Sequence, residues 1–257
     1  MLDSLVSGAL ADASERRAAR SLADVEAAAL ARPAALDALA ALAPADRVKI
    51  IAEVKRASPS RGDLHAIPDP ASLALSYATG GASAISVLTE GRKFKGSLAD
   101  LEAVRAVVDV PVLRKDFIAD PYQVFEARAA GADLVLLIVA GLEQARLVEL
   151  HDLVRELGMT ALVETHSADE VARGLDAGAE VLGVNARDLS TFELDPDLFG
   201  RLADSIPAGV TRVAESAVMS PADVAHYRRA GADVVLVGEA LVTHGDPVDA
   251  LTRFLEV

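Results

Sequence analysis

At 257 residues, with 52% apolar side chains but 4% aromatic and no Trp, the chain is long enough for one large core built from Ala, Val, Leu and Ile. The absence of Cys excludes disulfides, thiolate metal sites and a cysteine nucleophile. Its 25 Lys and Arg against 39 Asp and Glu leave a formal charge of −14, which repels phosphate polymers and anionic lipid, so neither a nucleic-acid nor a membrane partner is expected.

In chain order, residues 1–46 are rich in Ala and Leu, with helical spacing around Leu5, Leu10, Leu22, Val25 and Leu36. They predict a helical N-terminal extension packed on the rest of the chain. The start lacks a basic stretch succeeded by an apolar one, and the longest apolar run, Leu134 to Leu142, is too short to cross a bilayer, so a cytoplasmic protein is expected.

Eight short strands are then predicted at Lys49 to Val54, Ala84 to Leu88, Val112 to Arg114, Leu134 to Ile138, Thr160 to Val163, Val181 to Val184, Arg212 to Ala214 and Val234 to Val237. Between them, helix starts are marked by an acid or Ser before Pro, at Asp69-Pro70, Asp120-Pro121, Asp195-Pro196, Ser220-Pro221 and Asp246-Pro247. Gly81-Ala82, Gly131-Ala132, Gly178-Ala179 and Gly231-Ala232 each end a helix ahead of an even-numbered strand. Apolar strands alternating with helices indicate a parallel sheet buried on both faces, and eight such units close into a (β/α)8 TIM barrel, an α/β fold. The expected organisation is one domain over 1–257, with the barrel at 47–257; an open doubly wound sheet is the structural alternative.

In a barrel of this kind the site is built at the C-terminal strand ends. The first strand there offers Glu53 and Lys55, the third Lys115 and Asp116, the fifth Glu164, the sixth Asn185 and Arg187, and the seventh Glu215 and Ser216. Any one of these could be a rim salt bridge, but together they bring two Lys and three Glu to one mouth, where a buried Lys among carboxylates is a proton donor and an anion clamp. Strand alternation puts Glu53 and Lys55 on one side, with Val54 packed outward. The adjoining loop, Arg56 to Gly62, has the hydroxyls, cations and turn formers of a loop closing over an anion, or of an ordinary surface turn. A phosphate site is expected after strands seven and eight, at Ala214 to Ala217 and Val237 to Ala240, with Gly238 either admitting close backbone approach or merely turning the chain.

The five His, at 65, 151, 166, 226 and 244, show no metal-ligand spacing; only His166 lies near the mouth, and the others are expected to be exposed. No dinucleotide fingerprint or P-loop occurs, so no cofactor is expected.

These residues resemble the indole-3-glycerol phosphate synthase family of tryptophan biosynthesis. The resemblance rests on Ile51-Ala52-Glu53-Val54-Lys55-Arg56-Ala57-Ser58-Pro59-Ser60, Ser86 to Glu90, Leu113-Arg114-Lys115-Asp116-Phe117, Leu136 to Val139, Gly183 to Leu189 and Val213 to Ser216, and covers essentially the whole chain. It implies ring closure of 1-(2-carboxyphenylamino)-1-deoxyribulose 5-phosphate to indole-3-glycerol phosphate, with loss of CO2 and water and without a cofactor. By resemblance, Lys115 is the general acid, and Glu164, Glu53 and Lys55 serve the dehydration. Asn185, Glu215, Ser58 and Arg187 orient the sugar hydroxyls and the carboxylate, and Ser216 joins the substrate site. Phe94, Phe117, Leu136 and Leu189 form the pocket for the aromatic ring. Lys55, Ala217, Gly238 and Glu239 fall at the phosphate. The family usually has Gly where Ala217 stands and often Ser where Glu239 stands; Glu239 would be tolerated if its side chain points away.

The alternatives are another phosphosugar barrel, of which an isomerase with a Cys–Asp pair is excluded by the lack of Cys, and a silent barrel kept for protein interaction, which should have lost some of Glu53, Lys55, Lys115 or Glu164. A stand-alone enzyme, monomeric or at most weakly self-associating, is expected to act on a small phosphorylated substrate.

Overall fold

The computed structural model describes residues 1–257 except Ser60, His65, Ser190, His244 and Gly245. Eight parallel strands close into a barrel: β1 (Lys49–Val54), β2 (Ala84–Leu88), β3 (Val112–Lys115), β4 (Leu134–Ile138), β5 (Thr160–Thr165), β6 (Val181–Asn185), β7 (Thr211–Glu215) and β8 (Val234–Val237), with β8 paired to β1. The open-sheet alternative is thereby removed. β3, β5, β6 and β7 run one or two residues beyond the predicted ends, because Lys115, Glu164, Asn185 and Glu215 continue the ladder as polar residues where an apolar run has stopped.

The helices are α1 (Leu2–Ala19), α2 (Leu22–Leu30), α3 (Ala38–Leu42), α4 (Pro70–Thr79), α5 (Leu98–Arg105), α6 (Pro121–Ala130), α7 (Gln144–Glu156), α8 (Ala168–Asp176), α9 (Leu198–Leu202), α10 (Pro221–Arg229), α11 (Glu239–Thr243) and α12 (Pro247–Leu255). Four of the five acid- or Ser-Pro signals start helices with Pro in the first turn; Asp69, Asp120 and Asp246 accept N–H groups of that turn, and at Ser220 the carboxylate of Asp223 takes the cap N–H. Asp195-Pro196 does not. The Asp195 carboxylate pairs with Arg201, Pro196 falls in a turn, and α9 begins at Leu198. Gly81, Gly131, Gly178 and Gly231 all have φ between 93° and 100°, so the repeat marks left-handed helix stops.

Strand alternation sorts the side chains into two apolar layers. Ile50, Ala52, Val87, Val135, Val163 and Val235 face the helices, whereas Ile51, Leu113, Leu136, Leu162, Val213 and Leu236 fill the barrel. Leu5 and Ala9 of α1, with Ala38 and Leu42 of α3, are buried in the inner cluster, and α2 packs on α6. No helix among the described residues is long and apolar enough to cross a membrane.

His151 corrects the expectation of an exposed side chain. It lies on the face of α7 that buries Leu147, Leu150 and Val154, and is 2% exposed. Burial holds its imidazole below the usual range, which favours the neutral ring. His226 is partly exposed, whereas His65 and His244 lie outside the described residues.

Candidate active site

The inward positions of a strand recur every second residue, so Glu53 follows Ile51, Lys115 follows Leu113, Glu164 follows Leu162 and Glu215 follows Val213. Each apolar inner layer is thus succeeded, one pleat higher, by a charge. Lys115 Nζ stands 3.2 Å from Glu164 Oε2 and 3.3 Å from Glu215 Oε2. Asn185 donates from Nδ2 to Glu164 Oε1 at 3.0 Å, and its Oδ1 accepts Ser216 Oγ–H at 2.7 Å and Arg187 N–H at 3.0 Å. On β1, Lys55 Nζ lies 2.6 Å from Glu53 Oε1, while Ser86 Oγ approaches Glu53 Oε2 at 3.4 Å.

Burial opposes the charge on Lys115, but the carboxylates of Glu164, Glu215 and Glu53 outweigh it and hold the ammonium well above the usual lysine range. The two neighbouring carboxyls move apart. Burial works against ionisation of Glu164, yet Lys115, His166 and Asn185 together hold it below the usual carboxylate range. At Glu215 burial prevails: it pushes the carboxyl up to about 8, against the pull of Lys115 and aided by the negative charge of Glu164. The mouth therefore presents an ammonium between one ionised and one protonated carboxyl at neutral pH. Such a split separates acid from base in one cavity.

Two glycines make room for these groups. A Cβ on Gly183, the inward residue below Asn185, would lie 2.2 Å from Glu215 Oε1, and one on Gly238 would lie 2.8 Å from Glu53 Oε1. The structural need for Gly238 is thus a close carboxylate, whereas the sequence pointed to phosphate approach or a turn.

Every candidate from the sequence lines one cavity: Glu53, Lys55, Ser58, Phe94, Lys115, Phe117, Leu136, Glu164, Asn185, Arg187, Leu189, Glu215, Ser216, Ala217, Gly238 and Glu239. Asp116 also reaches the wall, but its carboxylate is taken by Arg114 Nη2 at 2.9 Å, Thr89 Oγ1 at 2.6 Å and its neighbour's N–H, so it does not join the Lys115 cluster. Phe94 and Phe117 form a tilted pair, with centroids 6.0 Å apart, on the apolar side with Leu136 and Leu189. Glu90 positions that pair, its carboxylate accepting the N–H groups of Arg92, Lys93 and Phe94. In the loop after β1, Ala57–Ser58 and Gly62–Asp63 form a short hairpin; Ser60 of that loop lies outside the described residues. After β7, Ser216 and Ala217 both take positive φ, 68° and 55°, a left-handed stretch that curls the chain directly after the strand.

Three contacts add detail that the sequence did not specify. Leu5 of α1 lines the cavity, so the extension forms part of its wall. Arg61 Nη1 pairs with Glu239 Oε1 at 2.6 Å, linking the loops after β1 and β8; Glu239 turns to this partner and still lines the cavity. His166, expected near the mouth, stands behind Glu164, and the alternation Glu164-Thr165-His166 was the signal that could have revealed this pairing.

A closed parallel barrel whose mouth holds a buried ammonium between carboxyls of opposite protonation, beside an apolar wall and a curled loop, defines an acid–base enzyme of the (β/α)8 class. The model of the family described as "Indole-3-glycerol phosphate synthase" matches residues 2–254. The curated protein of that name from Leifsonia xyli subsp. xyli is 73% identical over 99% of this chain and 97% of its own length. That from Mycobacteroides abscessus is 60% identical over 98% and 92%. The chain belongs to the indole-3-glycerol phosphate synthase family. Among solved structures, 3-hexulose-6-phosphate synthase from Salmonella typhimurium aligns with a TM-score of 0.65 at 18% identity, covering 81% of this chain and 97% of that one. Thiamine phosphate pyrophosphorylase from Pyrococcus furiosus aligns with a TM-score of 0.61 at 14% identity, over 81% and 94%. These two likenesses concern the fold alone.

Proposed function

We propose that the cavity closes 1-(2-carboxyphenylamino)-1-deoxyribulose 5-phosphate to indole-3-glycerol phosphate, releasing CO2 and water, with Lys115 as the first proton donor. The observation that carries this reading is the position of the Lys115 ammonium, 3.2 Å and 3.3 Å from two carboxyls that titrate in opposite directions.

The carboxylate-bearing ring carbon attacks the ketose carbonyl carbon, and the carbonyl oxygen takes the Lys115 proton as the C–C bond forms. Charge that would collect on that oxygen is stabilised as it develops. Departure of CO2 leaves its bonding pair with the ring and restores aromaticity. The hydroxyl made in the first step then leaves as water, with its proton from the Lys55–Glu53 pair, while ionised Glu164 accepts the proton lost from the neighbouring carbon. Asn185, Ser58 and protonated Glu215 hold the sugar hydroxyls, and Arg187 faces the ring carboxylate. Phe94, Phe117, Leu136 and Leu189 enclose the aromatic ring. Lys55, Ser216, Ala217, Gly238 and Glu239 surround the phosphate. The flexible open-chain sugar is thereby held with its two reacting carbons together, the condition under which proximity lowers a barrier most.

We read the chain as one functional unit, a barrel with its extension, acting as a monomer or weak homo-oligomer in the cytoplasm; its net charge of −14 favours mutual repulsion. The test is an indole fluorescence assay on the purified protein with this substrate, in EDTA and without nucleotide. Sustained turnover is expected. No product at saturating substrate would return the chain to the silent-barrel alternative.

A further inference from the structure

His166 is not part of the cavity wall, yet it is bound to a group that is. Its Nε2 lies 3.4 Å from Glu164 Oε1, and its Nδ1 lies 3.1 Å from Oε2 of Glu170 on α8. The Nε2 contact is an ion pair by distance and lacks the alignment of a hydrogen bond. Glu170 is itself fixed, because its Oε2 accepts the His166 backbone N–H at 2.8 Å and its own N–H is capped by Ser167 Oγ at 3.2 Å. An imidazole with a carboxylate at each nitrogen answers both only when it carries two protons.

We propose that His166 is a positioning residue for the reaction: a persistent imidazolium bridging Glu164 and Glu170 that fixes the Glu164 side chain and keeps it ionised through the catalytic cycle. The surrounding charges support this. Glu164 meets Lys115 of β3 on Oε2 and Asn185 of β6 on Oε1, and Glu215 of β7 shares the same Lys115. Without His166, Lys115 would be the one cation among the described residues paired with these carboxyls. Given the role assigned to Lys115 above, on which this step rests, that cation becomes a neutral amine once it has protonated the substrate. The imidazolium is then the cation left beside Glu164, at the stage where Glu164 must accept a proton. Burial alone would drive the ring neutral, but the carboxylates of Glu164 and Glu170 outweigh it and push the imidazole up to about 10.

The direct test is NMR of the His166 ring in the full-length protein, assigned with the His166→Gln variant. The imidazolium form is expected from pH 6 to pH 9, roughly the window in which a free imidazole loses its proton. Glu170→Gln should bring the ring's midpoint down into that window and introduce a matching fall in kcat/KM as pH rises. His166→Gln should lower kcat roughly ten- to a hundredfold, in keeping with a displaced base, while KM stays within about twofold. It should also move the acid limb of kcat/KM to higher pH. A neutral ring at pH 7, or unchanged kcat and pH profile in folded His166→Gln, would overturn the proposal. If that variant does not fold, the ring titration in the parent protein and in Glu170→Gln decides. The ring titration needs no turnover, so it is independent of whether the assigned reaction occurs.

Discussion

At the residue scale, the opposed shifts of Glu164 and Glu215 matter most. Both are buried, and both touch the same ammonium at nearly equal distances. Glu164 has a further donor in Asn185 and an ion-pair neighbour in His166, whereas Glu215 Oε1 is buried without a hydrogen-bond partner among the described residues. The carboxyl with more cationic and hydrogen-bonding partners keeps the charge, and the other keeps the proton. Because Glu215 titrates at about 8, its donating form is present below that value and is lost as pH rises through it. The profile of kcat/KM, which reports the free enzyme, should therefore fall on the alkaline side near pH 8. Glu215→Gln keeps an N–H donor at every pH, so it should retain more activity than Glu164→Gln and lose that alkaline fall. An alkaline limb unchanged in Glu215→Gln would assign it to another group.

At the element scale, the loop after β7 carries a backbone cost. Ala217 has φ 55°, and Ser216 before it has φ 68°. Ser216 is compensated by its hydrogen bond to Asn185, but Ala217 has only a methyl group to place in a left-handed conformation. Ala217→Gly should raise stability by about 0.5–1 kcal/mol, seen as a higher denaturant midpoint with an unchanged slope. A lower midpoint would show that the methyl contact outweighs the strain. The same scale shows what was legible. The apolar body of each strand and the helix stops were readable because each is written in local chemistry, an apolar run or a Gly at a left-handed stop, whereas four strand ends were set short where polar residues continue the ladder. The start of α9 was set early because Pro196 falls in a turn ahead of the helix, and the helical face that buries His151 was not assigned to the core. The Arg61–Glu239 pair joins loops 178 positions apart, beyond the reach of any local pattern.

At the scale of the whole molecule, one chain of charges joins the extension to the strand that carries Lys115. Arg16 of α1 forms two bonds to Glu126 of α6, at 2.6 Å and 2.8 Å, and Glu126 lies 3.5 Å from Arg114 of β3. Arg114, 0% exposed, also binds Asp116, Thr89 and the carbonyl of Gln123. It points outward from the strand whose next residue, Lys115, points in. Removing one member would strand a buried charge, so this network fixes how β3 sits against α6 and α1. The extension was expected to pack on the barrel; that it reaches both the cavity, through Leu5, and this network depends on tertiary contacts that helical spacing alone does not specify.

The proposed reaction makes Lys115 the group that starts it. The most direct measurement is kcat for Lys115→Met against the parent protein, monitored by indole fluorescence, with circular dichroism confirming the fold. Proton delivery and charge stabilisation vanish together, so kcat should fall by at least about a thousandfold. A folded variant that keeps kcat within tenfold, with its loss confined to KM, would show that the first proton comes from elsewhere and contradict the account.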